Sequence, residues 1–140
     1  MKRLFLIPLL SIVAFSFSCK KFIRQQEEKA VMNIIVNGYW HVDQYIRDGN
    51  DVTASFSGYL FKFESNGAVT GKNADNSVSE SGTWAPDVDA RTISSNFPSA
   101  SEPVNLLNGV WKIKDSGSDF VLANLTDSVT HTSNILRLKK

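Results

Sequence analysis

The chain is short of the residues from which most protein chemistry is built. It has one cysteine, so no disulfide can form within it, and its two histidines are too few to build a Cys/His zinc cluster with that cysteine. Charge of either sign is not in excess, since 15 basic against 14 acidic side chains leave a net +1. Nucleic-acid binding takes a clustered basic surface, and this balance offers none. A bilayer-crossing helix takes roughly 20 apolar residues, and the uncharged run Leu4–Phe17 stops at 14. What remains is a 140-residue chain, 42% hydrophobic, of a length that predicts one folded domain.

The N-terminus predicts where the chain goes. Met1-Lys2-Arg3 is a short basic start, Leu4–Phe17 an apolar core, and Ser16 and Ser18 are small residues at −3 and −1 relative to Cys19. That order is a secretory signal peptide. Cleavage by an ordinary signal peptidase would leave a soluble periplasmic protein with a free N-terminal cysteine. Alternatively, Ser16-Phe17-Ser18-Cys19 resembles a bacterial lipobox, whose cysteine is acylated and becomes the new N-terminus. The sole cysteine lies directly after the apolar core, which favours lipid attachment at Cys19. Stable anchoring needs more than one acyl chain at ~0.8 kcal/mol per buried CH₂, and bacterial lipoproteins carry two or three. Removing residues 1–18 takes away Lys2 and Arg3 and leaves 13 basic side chains against 14 acidic ones, a net −1. Lys20 and Lys21 then face an anionic membrane surface, which favours them. Lys20 rather than Asp after the cysteine resembles the sorting signal for the outer membrane.

Beyond the anchor the pattern predicts a helix and then strands only. Phe22, Ile23, Ala30, Val31, Ile34 and Ile35, interleaved with Arg24–Lys29, read as an amphipathic helix over 22–36 that Asn37-Gly38 stops and that covers one end of the core. From Tyr39 the period is two. Trp40, Val42 and Ile46 share one parity; Tyr59, Phe61 and Phe63 alternate with Leu60, Lys62 and Glu64; Asn66-Gly67 predicts a type I′ hairpin. Val69 and Gly71 continue on the return strand, and Val78, Gly82 and Trp84 share the next parity. Ile93 and Phe97, then Trp111 and Ile113, then Phe120–Leu125 and Ile135–Lys139 complete eight strands. Between them Pro98–Asn108 is the longest connection, with a helical turn expected at Val104–Leu107. Short turns between sequential strands predict an antiparallel meander, and eight such strands can close on themselves.

The segments Gly38-Tyr39-Trp40, Gly58-Tyr59-Leu60-Phe61-Lys62-Phe63, Asn66-Gly67, Gly82-Thr83-Trp84, Val110-Trp111 and Leu136-Arg137-Leu138 together resemble the lipocalin-like domains of small bacterial envelope lipoproteins. The resemblance spans residues 37–140. It implies an all-β fold, an eight-stranded antiparallel up-and-down barrel preceded by a short N-terminal helix. It also implies that Arg137 lies across Trp40 at the closed end. The expected organisation is a signal peptide at 1–18, a lipidated N-terminus and helix at 19–36, and the barrel at 37–140.

No residue set predicts catalysis, and neither a cofactor nor a metal is implied. His41 alternates with Trp40 and Val42 and is expected to face solvent; His131 lies in the last loop. No base is identifiable beside a serine, and Asp48/Asp51 and Asp87/Asp89 are turn formers first. Glu80 shares parity with Val78 and Trp84. Either a bulge near Gly82 turns it out, which is the favoured reading, or it is an inward carboxylate paired with a group such as Gln44 or with a ligand. Asp127-Ser128-Val129 is similar to a bacterial O-glycosylation sequon. Two functions remain open. A binding module would hold a small apolar or amphipathic ligand inside the barrel, lined by Tyr59, Phe61, Glu80, Trp84 and Trp111. A structural or interaction module would fill the interior with its own side chains. At least fourteen apolar inward candidates, three of them tryptophans, argue against a large interior cavity.

Overall fold

The computed structural model of the chain describes residues 15–126 and 130–140. Most of the expected signal peptide, and the Asp127-Ser128-Val129 segment compared with a glycosylation sequon, lie outside the described residues. One helix, α1 (Phe15–Val36), precedes nine strands: β1 (His41–Arg47), β2 (Asn50–Asp51), β3 (Leu60–Phe63), β4 (Ala68–Lys72), β5 (Ser79–Asp87), β6 (Thr92–Asn96), β7 (Gly109–Ser116), β8 (Phe120–Thr126) and β9 (Ser133–Lys139). Among the described residues no helix is long and apolar enough to cross a membrane. α1 begins seven residues before the predicted start, because no Gly or Pro interrupts the segment after Phe15. It ends where predicted, with Gly38 at φ +97°.

All nine strands form one curled antiparallel sheet in the order β2-β1-β9-β8-β7-β6-β5-β4-β3. The meander is as predicted from β3 to β9. The ninth strand is β2, which lies where the sequence pattern shows only a loop. Asp48 (φ 49°) and Gly49 (φ 80°) turn the chain between the paired residues Arg47 and Asn50. Two consecutive positive φ angles are the mark of a type I′ turn. At Asn66-Gly67 only Gly67 is left-handed, at φ 87°. There the Gly67 N–H donates to Glu64 O and the Glu64 N–H to Ala68 O, so this hairpin uses a wider loop than the predicted I′ turn.

The expected closed eight-stranded barrel is not what forms. The two edges of the sheet meet at one point only, an antiparallel bridge in which Trp40 N–H donates to Phe61 O (2.9 Å) and Phe61 N–H to Trp40 O (2.7 Å). Further along β1, other groups have taken the edge. Val52 N–H donates to Tyr45 O, and Tyr45 N–H donates to the Thr53 hydroxyl at 2.8 Å. Thr53 in turn donates through its hydroxyl and its N–H to Asp51, holding that carboxyl below its usual range. With those backbone groups satisfied, no ladder continues from β1 to β3.

The parity of β1 also differs from expectation. Val42 pairs with Leu138 and Gln44 with Arg137, leaving Asp43 as the extra residue of a bulge. The bulge turns Tyr45 inward, completely buried, in place of Ile46. A second register shift falls at Lys114 in β7, between Ile113 and Asp115; on the inward face Phe61, Phe63, Val69, Trp84, Phe97, Trp111, Val121, Ala123 and Leu136 are all buried. No charged or polar residue is fully buried among the described residues.

The polar handles of the core aromatics are spent on main-chain carbonyls at the two ends of the sheet. At one end, the predicted helical turn Val104–Leu107 forms as a 3-10 turn. Leu106 O accepts from the Tyr45 hydroxyl at 2.7 Å, and Leu107 O accepts from the Trp111 indole at 2.8 Å and from the Ser95 hydroxyl. At the other end Ile35 is buried, and Val31, Met32 and Val36 pack on the core, so the last turns of α1 roof the sheet. The Trp40 indole donates to Ile35 O (2.8 Å) and Lys62 Nζ to Val36 O (2.6 Å), satisfying carbonyls that a helix C-terminus leaves free.

Candidate binding cleft

The side chains expected to line an interior ligand site pack against one another instead. Phe61 and Trp111 are buried, and with Phe63, Phe97 and Leu136 they surround a void of only about 40 Å³. The Tyr59 ring lies 6.3 Å from that of Phe61, nearly parallel to it. Trp84 stands edge-on to Phe63 at 5.3 Å and donates its indole N–H to Glu64 O at 2.9 Å. A ligand pocket runs to hundreds of cubic ångströms. The void among these side chains is far smaller.

Glu80 is not turned out by a bulge. β5 pairs with β4 in unbroken register, with Gly71 opposite Glu80 and Val69 opposite Gly82. Glu80 therefore keeps the parity of Trp84 and is half-buried near the end of its strand. Gln44, its suggested partner, is exposed on β1. Gly71 and Gly82 are needed for another reason. A Cβ on Gly71 would stand 2.7 Å from the Phe61 ring, and one on Gly82 would strike Asn96 O and approach the Phe97 ring to 2.8 Å. Each glycine is the space an aromatic ring occupies.

The pairing of Arg137 with Trp40 is not formed. β9 points Leu136 inward, which leaves Arg137 on the outer face. There its guanidinium lies 5.4 Å from the Phe120 ring, and Nε is 3.4 Å from Asp43 Oδ2. The cation over the Trp40 ring is Lys140, with Nζ 5.0 Å from the centroid.

A larger space lies beneath α1, where the helix covers the end of the sheet. Glu27, Ala30, Val31, Ile34 and Ile35 of the helix face Pro86–Val88 and Arg91–Ile93 of the β5–β6 hairpin, with Ile113, Ser116, Gly117 and Val121 completing a cleft of about 450 Å³. Ile93, Ile113 and Val121 border both this cleft and the interior void, and so form the wall between them. One turn before Glu27, Arg24 Nε pairs with Asp89 Oδ1 at 3.1 Å, tying the helix to the hairpin beside the cleft. Arg91, at φ 53°, turns the hairpin while its carbonyl accepts the Ile113 N–H at 2.9 Å. None of Tyr59, Phe61, Glu80, Trp84 and Trp111 lines the cleft. The helical periodicity of Val31, Ile34 and Ile35 marks residues that meet the sheet. How far the helix stands off it is set by docking, and no local pattern carries that.

Among the described residues no three His, Cys, Asp or Glu side chains converge in a way that could hold a metal ion. His41 is half-buried on β1, and His131 is exposed with a left-handed backbone.

The curled sheet with its N-terminal helix is similar in fold to a solved structure, a DUF4847 family protein from Bacteroides vulgatus. The TM-score is 0.54 at 20% identity, covering 78% of this chain and 96% of that one. A scan against protein-family models found no match. A search of curated proteins found none either.

Proposed function

We propose that the chain is a non-catalytic lipoprotein of the bacterial cell envelope, held at the outer membrane through acyl chains on Cys19. Its ligand, a small apolar or amphipathic molecule, sits in the cleft beneath α1. The observation that carries this reading is the contrast in space, about 450 Å³ in the cleft against about 40 Å³ inside the sheet. Sites for small molecules are concave, mostly apolar and of a few hundred cubic ångströms, and the cleft meets that description. Support for the anchor is the position of the sole cysteine after an apolar leader and before Lys20 and Lys21. A lipocalin-like relation would then be one of scaffold, with the filled sheet serving as a platform for the helix.

The second reading, an envelope interaction module with no ligand, is favoured by that same filled interior. Native mass spectrometry of the protein purified from its own host separates the two. A retained small molecule, lost on substitution of Ile34 by Trp, supports the ligand reading; a protein of bare acylated mass supports the other. For the anchor, Cys19→Ser is expected to move the protein from the membrane fraction to the soluble periplasmic fraction, and unchanged fractionation would refute lipidation.

A further inference from the structure

The charges around the cleft narrow what it takes. Its walls are apolar, but three charged side chains stand among them: Glu27 on α1, and Asp87 and Arg91 on the hairpin. Asp87 Oδ1 accepts the Ala90 N–H at 2.9 Å, so part of its capacity is used to hold the turn. The Glu27 and Arg91 side chains make no hydrogen bond or ion pair among the described residues. Beside the cleft, Arg24 and Asp89 are already paired with each other. A cleft with one guanidinium, two carboxylates outside any ion pair among the described residues and an apolar floor is complementary to a molecule that carries both signs of charge on an apolar chain.

Resting on the reading that the cleft is the ligand site, we infer that its ligand is a single-chain zwitterionic amphiphile, of the lysophospholipid class. The phosphate would meet Arg91, the ammonium would meet Glu27, and the acyl chain would lie along Ile34 and the apolar wall. A simple fatty-acid anion would satisfy Arg91 but sit against Glu27 and Asp87. A simple cationic amphiphile would reverse the mismatch. The volume is at the small end of the range for ligand pockets, which suits one chain better than two. Guanidinium–phosphate contacts are charge-assisted and directional, and removing one such contact typically costs about tenfold in affinity.

The test uses the full chain carrying Cys19→Ser, so that no acyl chain of its own competes, exported and purified without detergent. Dodecylphosphocholine, laurate and dodecyltrimethylammonium are titrated below their micelle thresholds by calorimetry. The expected order puts dodecylphosphocholine about tenfold tighter than either singly charged probe. Arg91→Ala should weaken dodecylphosphocholine and laurate, while Glu27→Gln should weaken dodecylphosphocholine and tighten laurate. Both residues are exposed, and near-UV circular dichroism confirms that each variant is folded. Laurate or the ammonium probe binding as tightly as dodecylphosphocholine overturns the head-group assignment and leaves the cleft as the site. Binding of every probe unaltered by Ile34→Trp, or no binding at all, overturns both.

Discussion

Tyr45 joins the bulged first strand to the 3-10 turn that plugs the far end of the sheet. Its hydroxyl is the donor to Leu106 O, at 2.7 Å, and its side chain is completely buried. Replacing it with Phe removes one hydrogen bond and leaves a carbonyl unmatched, a cost of about 1–1.5 kcal/mol near neutral pH. The phenol adds a second, pH-dependent signature. Burial pushes its pKa up to about 12, against a partial pull downward from Arg47. In the unfolded chain the group ionises near 10, so between pH 10 and 12 the unfolded state releases the proton that the folded state retains. Stability from this group is complete below pH 10 and falls by up to about 1.4 kcal/mol per unit above it. The wild type should therefore exceed Tyr45→Phe by about 1–1.5 kcal/mol up to pH 10, draw level near pH 11 and fall behind by pH 12. Urea denaturation of both proteins, followed by far-UV circular dichroism at half-unit steps from pH 8 to 12, measures the difference. Ionisations common to both proteins cancel in the difference. A gap that stays constant or widens through pH 11 would refute the reasoning.

Two glycines separate clash from strain. Gly82→Ala drives a methyl into Asn96 O and the Phe97 ring and is expected to cost about 2–3 kcal/mol. Gly49→Ala meets open space and bears only its left-handed φ of 80°, for about 1–2 kcal/mol; equal or reversed costs in urea melts would count against the packing account. The Trp40 indole proton should shift in NMR spectra of Lys140→Met and stay in place in Arg137→Met, since the cation over that ring is Lys140. Finally, the amides of Trp40 and Phe61 should exchange with solvent faster than those of the β8–β9 ladder, because a single bridge opens without disturbing its neighbours. Equal protection would mean that the seam is part of the global unfolding unit.

How much of this was legible in the sequence depends on whether a residue's environment is local. Strand β3 could be read residue by residue, since Phe61 and Phe63 face in and Leu60 faces out as strict alternation demands. The helical turn at Val104–Leu107 and the stop at Gly38 were likewise local. The first strand was misread at one residue: Asp43 adds a step that alternation cannot show, and every side chain after it changes face. Arg137 was misassigned for the opposite reason. Alternation with Leu136 and Leu138 already put it outside, and the family resemblance overrode that pattern. The seam and the cleft were illegible. One depends on Thr53 reaching Tyr45 and the other on the standoff between a helix and a sheet, both set by residues far apart in the chain. Of the five interior candidates Phe61, Trp84 and Trp111 are buried, Tyr59 packs against the core and Glu80 is half-buried; parity gives direction and not the space beyond it.

The meeting of Trp40 and Phe61 gives the sheet the mechanics of a split ring. A fully laddered cylinder has a fixed circumference. Here the girth of the molecule is latched by two hydrogen bonds, and the latch sits five residues after Ile35, whose carbonyl the same tryptophan holds. Load carried along α1 would therefore arrive first at the clasp of the ring. Springing it would uncover the free backbone edge of β3, a template for pairing with another chain, so the closure of the ring and the masking of that edge rest on one residue.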